Sequence, residues 1–406
     1  MLMRRLTSRI INRSSARGLP PSPVVLLAVF AAGVDNFMAA PMLLAIGDGF
    51  GQNLAAAAGV VAAYTVVYGF LQLVWVYASD RWGRLGVIRV GLALASVATV
   101  ASAFAPDIAS LIVLRGIAGA GFAAVVPSTI TYIGDKVPVE KRAGTLSDLV
   151  AAYAGGAAAG IVCGGVASDV TSWRVGFAAS AAMTVLALLT QLRYARDPVE
   201  APRALRAFTR SLRITVSATW PRVVALLALF EGAVLIGFLT FFPAALQEGG
   251  ASGRVAGLVV AIYGVAIVVA SRPARRLAAH LPRPVSLAGG ILCAGAGLAV
   301  AAFSTSIPTM AVATVLVSMG FALAHPLIQQ WATIVIPSHR ATAVGLFATA
   351  LFVGTAVTTQ AVAPLLDTVG FGWVFGAGAV LAGVLAVMLA VAWSRFERAT
   401  AHDELP

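Results

Sequence analysis

Apolar residues come in long unbroken blocks along this chain. Val24–Ile46 runs for 23 residues with one charge, and Val87–Phe104 runs for 18 with one, Arg89, near its start. A helix rises 1.5 Å per residue, so about 20 apolar residues cover the roughly 30 Å hydrocarbon core of a bilayer. Blocks of that length predict membrane-spanning helices. Twelve are expected, at about 24–46, 54–79, 87–105, 108–133, 144–168, 173–192, 223–245, 255–272, 285–303, 308–336, 342–366 and 371–394. The fold class this predicts is an all-α membrane protein.

Polar residues divide the pattern in two. The longest polar stretch inside the chain, Arg193–Pro221, separates six predicted spans from six. The organisation expected is therefore a basic tail over 1–23, a helical bundle over 24–192, a linker over 193–222, a second bundle over 223–394 and a short tail over 395–406. The halves echo each other. VPVEKRAGT (Val137–Thr145) and IPSHRATAV (Ile336–Val344) precede the fifth and eleventh spans, and Trp173 and Trp373 stand near the starts of the sixth and twelfth. Matched offsets near 200 residues suggest an internal duplication. Duplicated six-helix halves place a substrate site between them at the bilayer midplane.

Composition agrees. The 406 residues are 60% hydrophobic and 11% charged, against about 25% charged in soluble domains. A net charge of +12 would suggest nucleic acid in a soluble protein, but its distribution excludes that need. With both termini in the cytoplasm, 25 of the 28 Lys and Arg fall on that side, the exceptions being Arg115, Arg174 and Arg254. That asymmetry is the positive-inside rule, and the basic loops face anionic lipid headgroups. The Arg-rich start is read as a retained tail and not a cleaved signal. Cys163 and Cys293 have neither metal-ligand nor disulfide spacing.

A few ionisable residues fall inside predicted spans, where each costs several kcal/mol and marks a pathway, a proton relay or a pair. Asp35 is the twelfth residue of its 23-residue block, at the midplane. Arg115, in the fourth span, lies about 6 Å from it along the membrane normal, within reach of its side chain. Such a pair is either a structural ion pair or a proton-coupling one, because desolvation raises a carboxylate's pKa and a nearby Arg lowers it. Glu231 lies inside the seventh span, where it either binds a cation or proton or faces a wet cavity. Asp148 reads as structural. His325 precedes Pro326 in a long tenth span and is more often a core residue than a transport group. Polar and aromatic residues at midplane positions, among them Asn36, Tyr64, Tyr68, Tyr153, Phe238, Tyr263, Gln329 and Gln360, sketch an amphipathic cavity suited to lipophilic or weakly cationic molecules.

Four ordered motifs add a resemblance. In YASDRWGRLG (Tyr77–Gly86), Asp80, Arg81, Gly83 and Arg84 match the signature loop G-x-x-x-D-R-x-G-R-[RK] of the major facilitator superfamily, with Val76 in the first Gly position and Leu85 in the last basic one. Arg115-Gly116-Ile117-Ala118-Gly119-Ala120-Gly121 resembles its R-x-x-Q-G-x-G segment, with Ala118 for Gln. Gly156, Gly160, Gly164 and Gly165 resemble the antiporter segment G-x3-G-P-x-x-G-G, with Ile161 for Pro, and Trp173-Arg174-x-x-Phe177 matches a common opening of the sixth span. The chain thus resembles the twelve-helix drug:proton antiporters.

The resemblance implies two pseudo-symmetric six-helix bundles working by alternating access, with Asp80 set against the N-terminus of the eleventh helix as a cytoplasmic latch and Arg84 within reach of Asp135. It also implies that Asp35 and Arg115 couple protons, that the Gly156 row helps set the direction of exchange, and that the proton gradient serves in place of any cofactor. The function expected is proton-coupled efflux of small molecules by a monomer in the bacterial inner membrane, with membrane lipids as its other partners. Uptake by proton symport, or sugar or metabolite export, remains open on the same residues. An enzyme is not expected, for there is no H-E-x-x-H, no Ser/His/Asp set and no P-loop Lys; a sensor would carry a larger soluble part.

Overall fold

The computed structural model describes residues 22–170, 172–194 and 205–403. The basic tail with Arg4, Arg5, Arg9, Arg13 and Arg17, the connector residues 195–204 and the last three residues lie outside the described residues. The described chain is helical throughout, and eleven of its helices are long and apolar enough to cross a membrane. They are α1 (Pro23–Phe50), α2 (Leu54–Trp82), α3 (Arg84–Ala103), α4 (Ile108–Lys136), α5 (Val139–Asp169), α6 (Trp173–Leu192), α7 (Thr219–Glu248), α8 (Gly253–His280), α9 (Arg283–Phe303), α10 (Ile307–Ile334) and α11 (Pro337–Thr400). At 64 residues, α11 would run about 96 Å if straight. Its backbone leaves helical geometry at Gly370 (φ 77°, ψ 167°), so two arms meet there. The two arms cover the positions expected for the last two spans.

Helix starts follow local chemistry. The Asn53 side chain accepts from the Ala56 amide at 3.0 Å and caps α2. Asp107 and Ser110 form a reciprocal capping box on α4, which satisfies amides that have no partner within the helix. Gly83 turns the chain between α2 and α3 at φ 81°, a conformation that an L side chain resists. Two helices change type part-way. α1 passes through a 3-10 turn at Ala40–Met42, and α7 through a π turn at Ala233–Gly237 and a 3-10 turn at Leu239–Phe241. A Pro stands near each change, Pro41 and Pro243.

Small residues set the packing, as lipid offers helices no hydrophobic drive to associate. A Cβ on Gly156, Gly160 or Gly164 would strike the carbonyls of Phe30, Val34 and Met38, so this row lets α5 lie on the backbone of α1. Gly165 points elsewhere, onto Gly253 and Gly257 of α8. Gly91 and Gly121 bring α3 onto α4, and Gly290 and Gly320 bring α9 onto α10 in the same way, each pair repeated 199 residues later.

The connector departs from expectation. It contains a helix, Leu205–Ser217, whose Phe208 ring packs on Tyr77 of α2 at 5.3 Å. Ser211 of the same helix bonds Thr342 (2.7 Å) and His339 (2.8 Å) at the start of α11. Phe208, Leu212 and Thr215 recur at helical spacing, which explains why a stretch read as a linker folds.

Candidate functional site

Two acid–base pairs stand deep in the helices. Asp35 and Arg115 are buried, with Arg115 Nη2 2.8 Å from Asp35 Oδ2. Nη1 reaches Oδ1 at 3.2 Å, and Nη2 also donates to the Asp35 carbonyl at 3.1 Å. Hydroxyls from two further helices complete the shell: Ser180 donates to Oδ1 at 2.7 Å and Thr99 at 3.3 Å. The guanidinium carbon lies 4.6 Å from the Tyr64 ring centre and 5.0 Å from that of Phe177. A buried ion pair repays its desolvation only when its remaining lone pairs and protons are satisfied; here both carboxylate oxygens are, while Arg115 Nε is buried without a partner among the described residues.

The second pair joins α7 to α10. His325 Nδ1 is 2.8 Å from Glu231 Oε1. Glu231 is fully buried, and the His325 side chain is 17% exposed. Glu231 Oε2 is buried without a partner among the described residues. His325 stacks on Phe321 at 4.5 Å and tilts against Phe347 at 5.7 Å.

An aromatic row runs between the pairs. Tyr64 stacks on Tyr68 at 5.8 Å, and Tyr68 meets the Tyr153 hydroxyl. Tyr153 accepts from Asn36 at 2.8 Å and packs edge-on to Phe37. Phe37 faces Tyr263, Tyr263 faces Phe321, and Phe321 lies on His325. A cavity of about 30 Å³ opens beside this row, lined by Asn36 and Phe37 of α1, Thr65 of α2, Ile236 and Thr240 of α7 and Phe352 of α11. That is room for one or two waters, whereas small-molecule pockets span about 300–1,000 Å³. The helices must part before anything larger enters.

The sequence candidates divide accordingly. Asn36, Tyr64, Tyr68, Tyr153 and Tyr263 belong to the central row. Phe238 instead lines a separate apolar recess with Trp373 near the Gly370 break. Gln360 is exposed in an Ala-lined groove between α2 and α11, and Gln329 is half-buried on α10. In the signature loop, Arg84 pairs with Asp80 one turn earlier and with Asp135 at 3.2 Å. Arg81 is exposed. The start of α11 is held by Ser211 of the connector helix.

Some contacts had no sequence signal. Ser180 and Thr99 are ordinary in-span hydroxyls. Asp169, at the end of α5, accepts from the Gly253 and Arg254 amides at the start of α8 and from the Arg254 side chain. Gln247 of α7 donates to the Pro41 carbonyl of α1 at 3.1 Å on the same side of the bundle. These contacts tie early and late helices together at the end opposite the signature loop.

Comparison with known proteins decides the family. The model of the Major Facilitator Superfamily matches residues 25–249 and 224–405. The chain belongs to the major facilitator superfamily. Among relatives of this superfamily member, the MFS-type transporter YybF of Bacillus subtilis is 27% identical over 42% of this chain and 43% of its own. The puromycin resistance protein pur8 of Streptomyces alboniger is 27% identical over 41% of this chain and 33% of its own. Multidrug resistance protein 3 of Bacillus subtilis is 28% identical over 43% and 34%. The matches span less than half the length of these relatives. The fold is that of solved superfamily members. A D-xylose-proton symporter superposes with TM-score 0.75 at 17% identity, over 91% of this chain and 96% of its own. A POT family transporter in complex with 5-aminolevulinic acid gives 0.74 at 12%, over 91% and 95%. Family and fold are those of transporters.

Proposed function

We propose that this superfamily member is a proton-coupled secondary transporter that expels lipophilic or cationic small molecules by alternating access. The carrying observation is the aromatic row, contributed by early and late helices and flanked by a buried carboxylate at each end. Aromatic faces and a carboxylate attract organic cations, and the scarcity of other charge suits apolar bodies. Relatives that bear puromycin and multidrug resistance in their names support export.

The proposed architecture has twelve spans, with the arms of α11 as the last two, in bundles over 24–192 and 223–394 joined by the 193–222 linker. The protein acts as a monomer in the bacterial inner membrane, with both termini cytoplasmic and lipids around it. The proton gradient supplies the energy without a cofactor. In this orientation the Asp80–Arg84–Asp135 cluster is cytoplasmic, and the Asp169 and Gln247 contacts close the outer side. Asp35, Arg115 and Glu231 are the deep ionisable groups from which the proton-coupling site is drawn.

Everted membrane vesicles with an acid interior test the reading. Lipophilic cations and neutral antibiotics are added singly while a pH-sensitive dye reports the gradient. Dissipation by at least one compound, absent from vesicles lacking the protein, is expected. A gradient unaffected across the panel refutes drug:proton antiport.

A further inference from the structure

The two buried carboxylates are placed alike but bonded differently. Asp35 faces a guanidinium, which keeps its proton under all physiological conditions. Both its oxygens are engaged by Arg115, and Oδ1 also accepts from Ser180 and Thr99. Adding a proton there would break charge-assisted bonds and strand a buried cation. Glu231 faces an imidazole, the side chain whose ordinary titration spans pH 5 to 8. At 2.8 Å a proton must lie between Nδ1 and Oε1, for two lone pairs repel at that distance. Oε2 is buried, with no donor on it among the described residues.

Local backbone gives this pair a way to feel helix movement. Glu231 stands two residues before the π turn at Ala233–Gly237, a device common at functional sites. There is no room for a Cβ on Gly232 against the Leu351 carbonyl, or on Gly354 against the Leu229 carbonyl. Thr355 donates to the Gly232 carbonyl at 3.1 Å. Glu231 is thus seated by the backbone of α11, and α11 also lies on α2 through the Thr349 bond to the Gly69 carbonyl at 2.8 Å. The ionisable groups facing Glu231 are His325 from α10 and Tyr263 from α8. The α11 residues at this point, Phe347, Leu351 and Thr355, are uncharged, and α9 carries no charged residue after Arg283.

We infer that Glu231 and His325 together form the proton-binding site of the carrier, while Asp35 and Arg115 stay ionised throughout. The inference rests on the proton-coupled transport proposed above. With one proton on the imidazole the pair has charge −1 and attracts an organic cation to the neighbouring Phe321 and Tyr263 faces. A second proton, on the imidazole Nε2 or on Glu231 Oε2, makes the pair neutral and releases the cation. Only an N–H or O–H bond forms or breaks, and one proton leaves for each cation bound.

The test counts those protons. Binding of tetraphenylphosphonium to the purified full chain is followed by calorimetry at pH 6–8 in buffers of different ionisation heat. The wild type is expected to release close to one proton per cation. Glu231→Gln is expected to release close to none, with affinity at least tenfold weaker, and His325→Asn is expected to change the pH dependence of release. Asp35→Asn, in the fraction that folds, still releases close to one. Release that survives in Glu231→Gln, or a pH dependence unchanged in His325→Asn, overturns the inference, as does release lost in folded Asp35→Asn. If tetraphenylphosphonium does not bind the wild type, the substrate class proposed above fails, and nitrogen NMR of the four histidines decides the site separately. The resonance missing from His325→Asn is then titrated. A midpoint lower by at least one pH unit in Glu231→Gln supports the shared proton, and an unchanged midpoint overturns it.

Discussion

Asp35 is the thirteenth residue of α1 and Glu231 the thirteenth of α7, and each meets a base three helices later, on α4 and on α10. The surroundings diverge from there. The first pair has a permanent cation, hydroxyls from α3 and α6 and aromatic faces over the guanidinium. The second has a titratable base, one idle carboxylate oxygen and a rim open to the extent that His325 is 17% exposed. The Asp35 carboxylate, bonded at both oxygens, resists protonation even though Arg115 Nε has no partner among the described residues, whereas the Glu231 carboxylate keeps one oxygen that can take a proton. Burial alone does not mark a working carboxylate; an oxygen left without a donor does.

The sharpest way to break the contrast is to remove the fixed cation. Arg115→Ala leaves Asp35 buried and unpaired, and a loss of about 3–5 kcal/mol is expected, read as a fall in detergent-induced unfolding free energy. Gly160→Val attacks the same pair indirectly. Its side chain would meet the Val34 backbone next to Asp35, and overpacking of this kind costs about 1–3 kcal/mol; the same unfolding assay measures it. The opposite pair tolerates neutralisation. Glu231→Gln keeps the shape and a bond to His325, so a stability change of no more than about 1 kcal/mol is expected beside its large effect on proton release. The smallest change is Asp169→Asn at the far end of the bundle. It removes a charge from the N-terminus of α8 at a cost of about 0.3–1 kcal/mol, and labelling of outward-facing cysteines should rise as α5 and α8 separate more often.

Long apolar blocks made the spans legible, and the motifs made the family legible, because both depend on residues close together in sequence. The four-residue spacing of Gly156, Gly160 and Gly164 likewise announced a flat helix face, and it became the seat of α1. Asp35 and Arg115 could be paired from depth alone, since both positions follow from counting residues along a span. His325 could not be assigned to Glu231 in that way. Depth gives height in the membrane but no rotation about a helix axis, and a partner is fixed by rotation. The same ignorance of azimuth put Phe238 and Gln360 with the cavity residues, whereas their side chains line other recesses. The helix within the connector was not legible for another reason. Its charges hid a helical apolar spacing that acquires meaning only when Tyr77 and Thr342 offer it a surface.

That connector helix, Leu205–Ser217, touches α2 through Phe208 and the start of α11 through Ser211. It therefore works as a caliper across the basic-loop end of the molecule. Any change in the gap between Tyr77 and Thr342 must undo one of its two grips. An environment-sensitive dye beside Phe208 would convert that gap into a fluorescence signal from the water phase, leaving the interior of the carrier untouched.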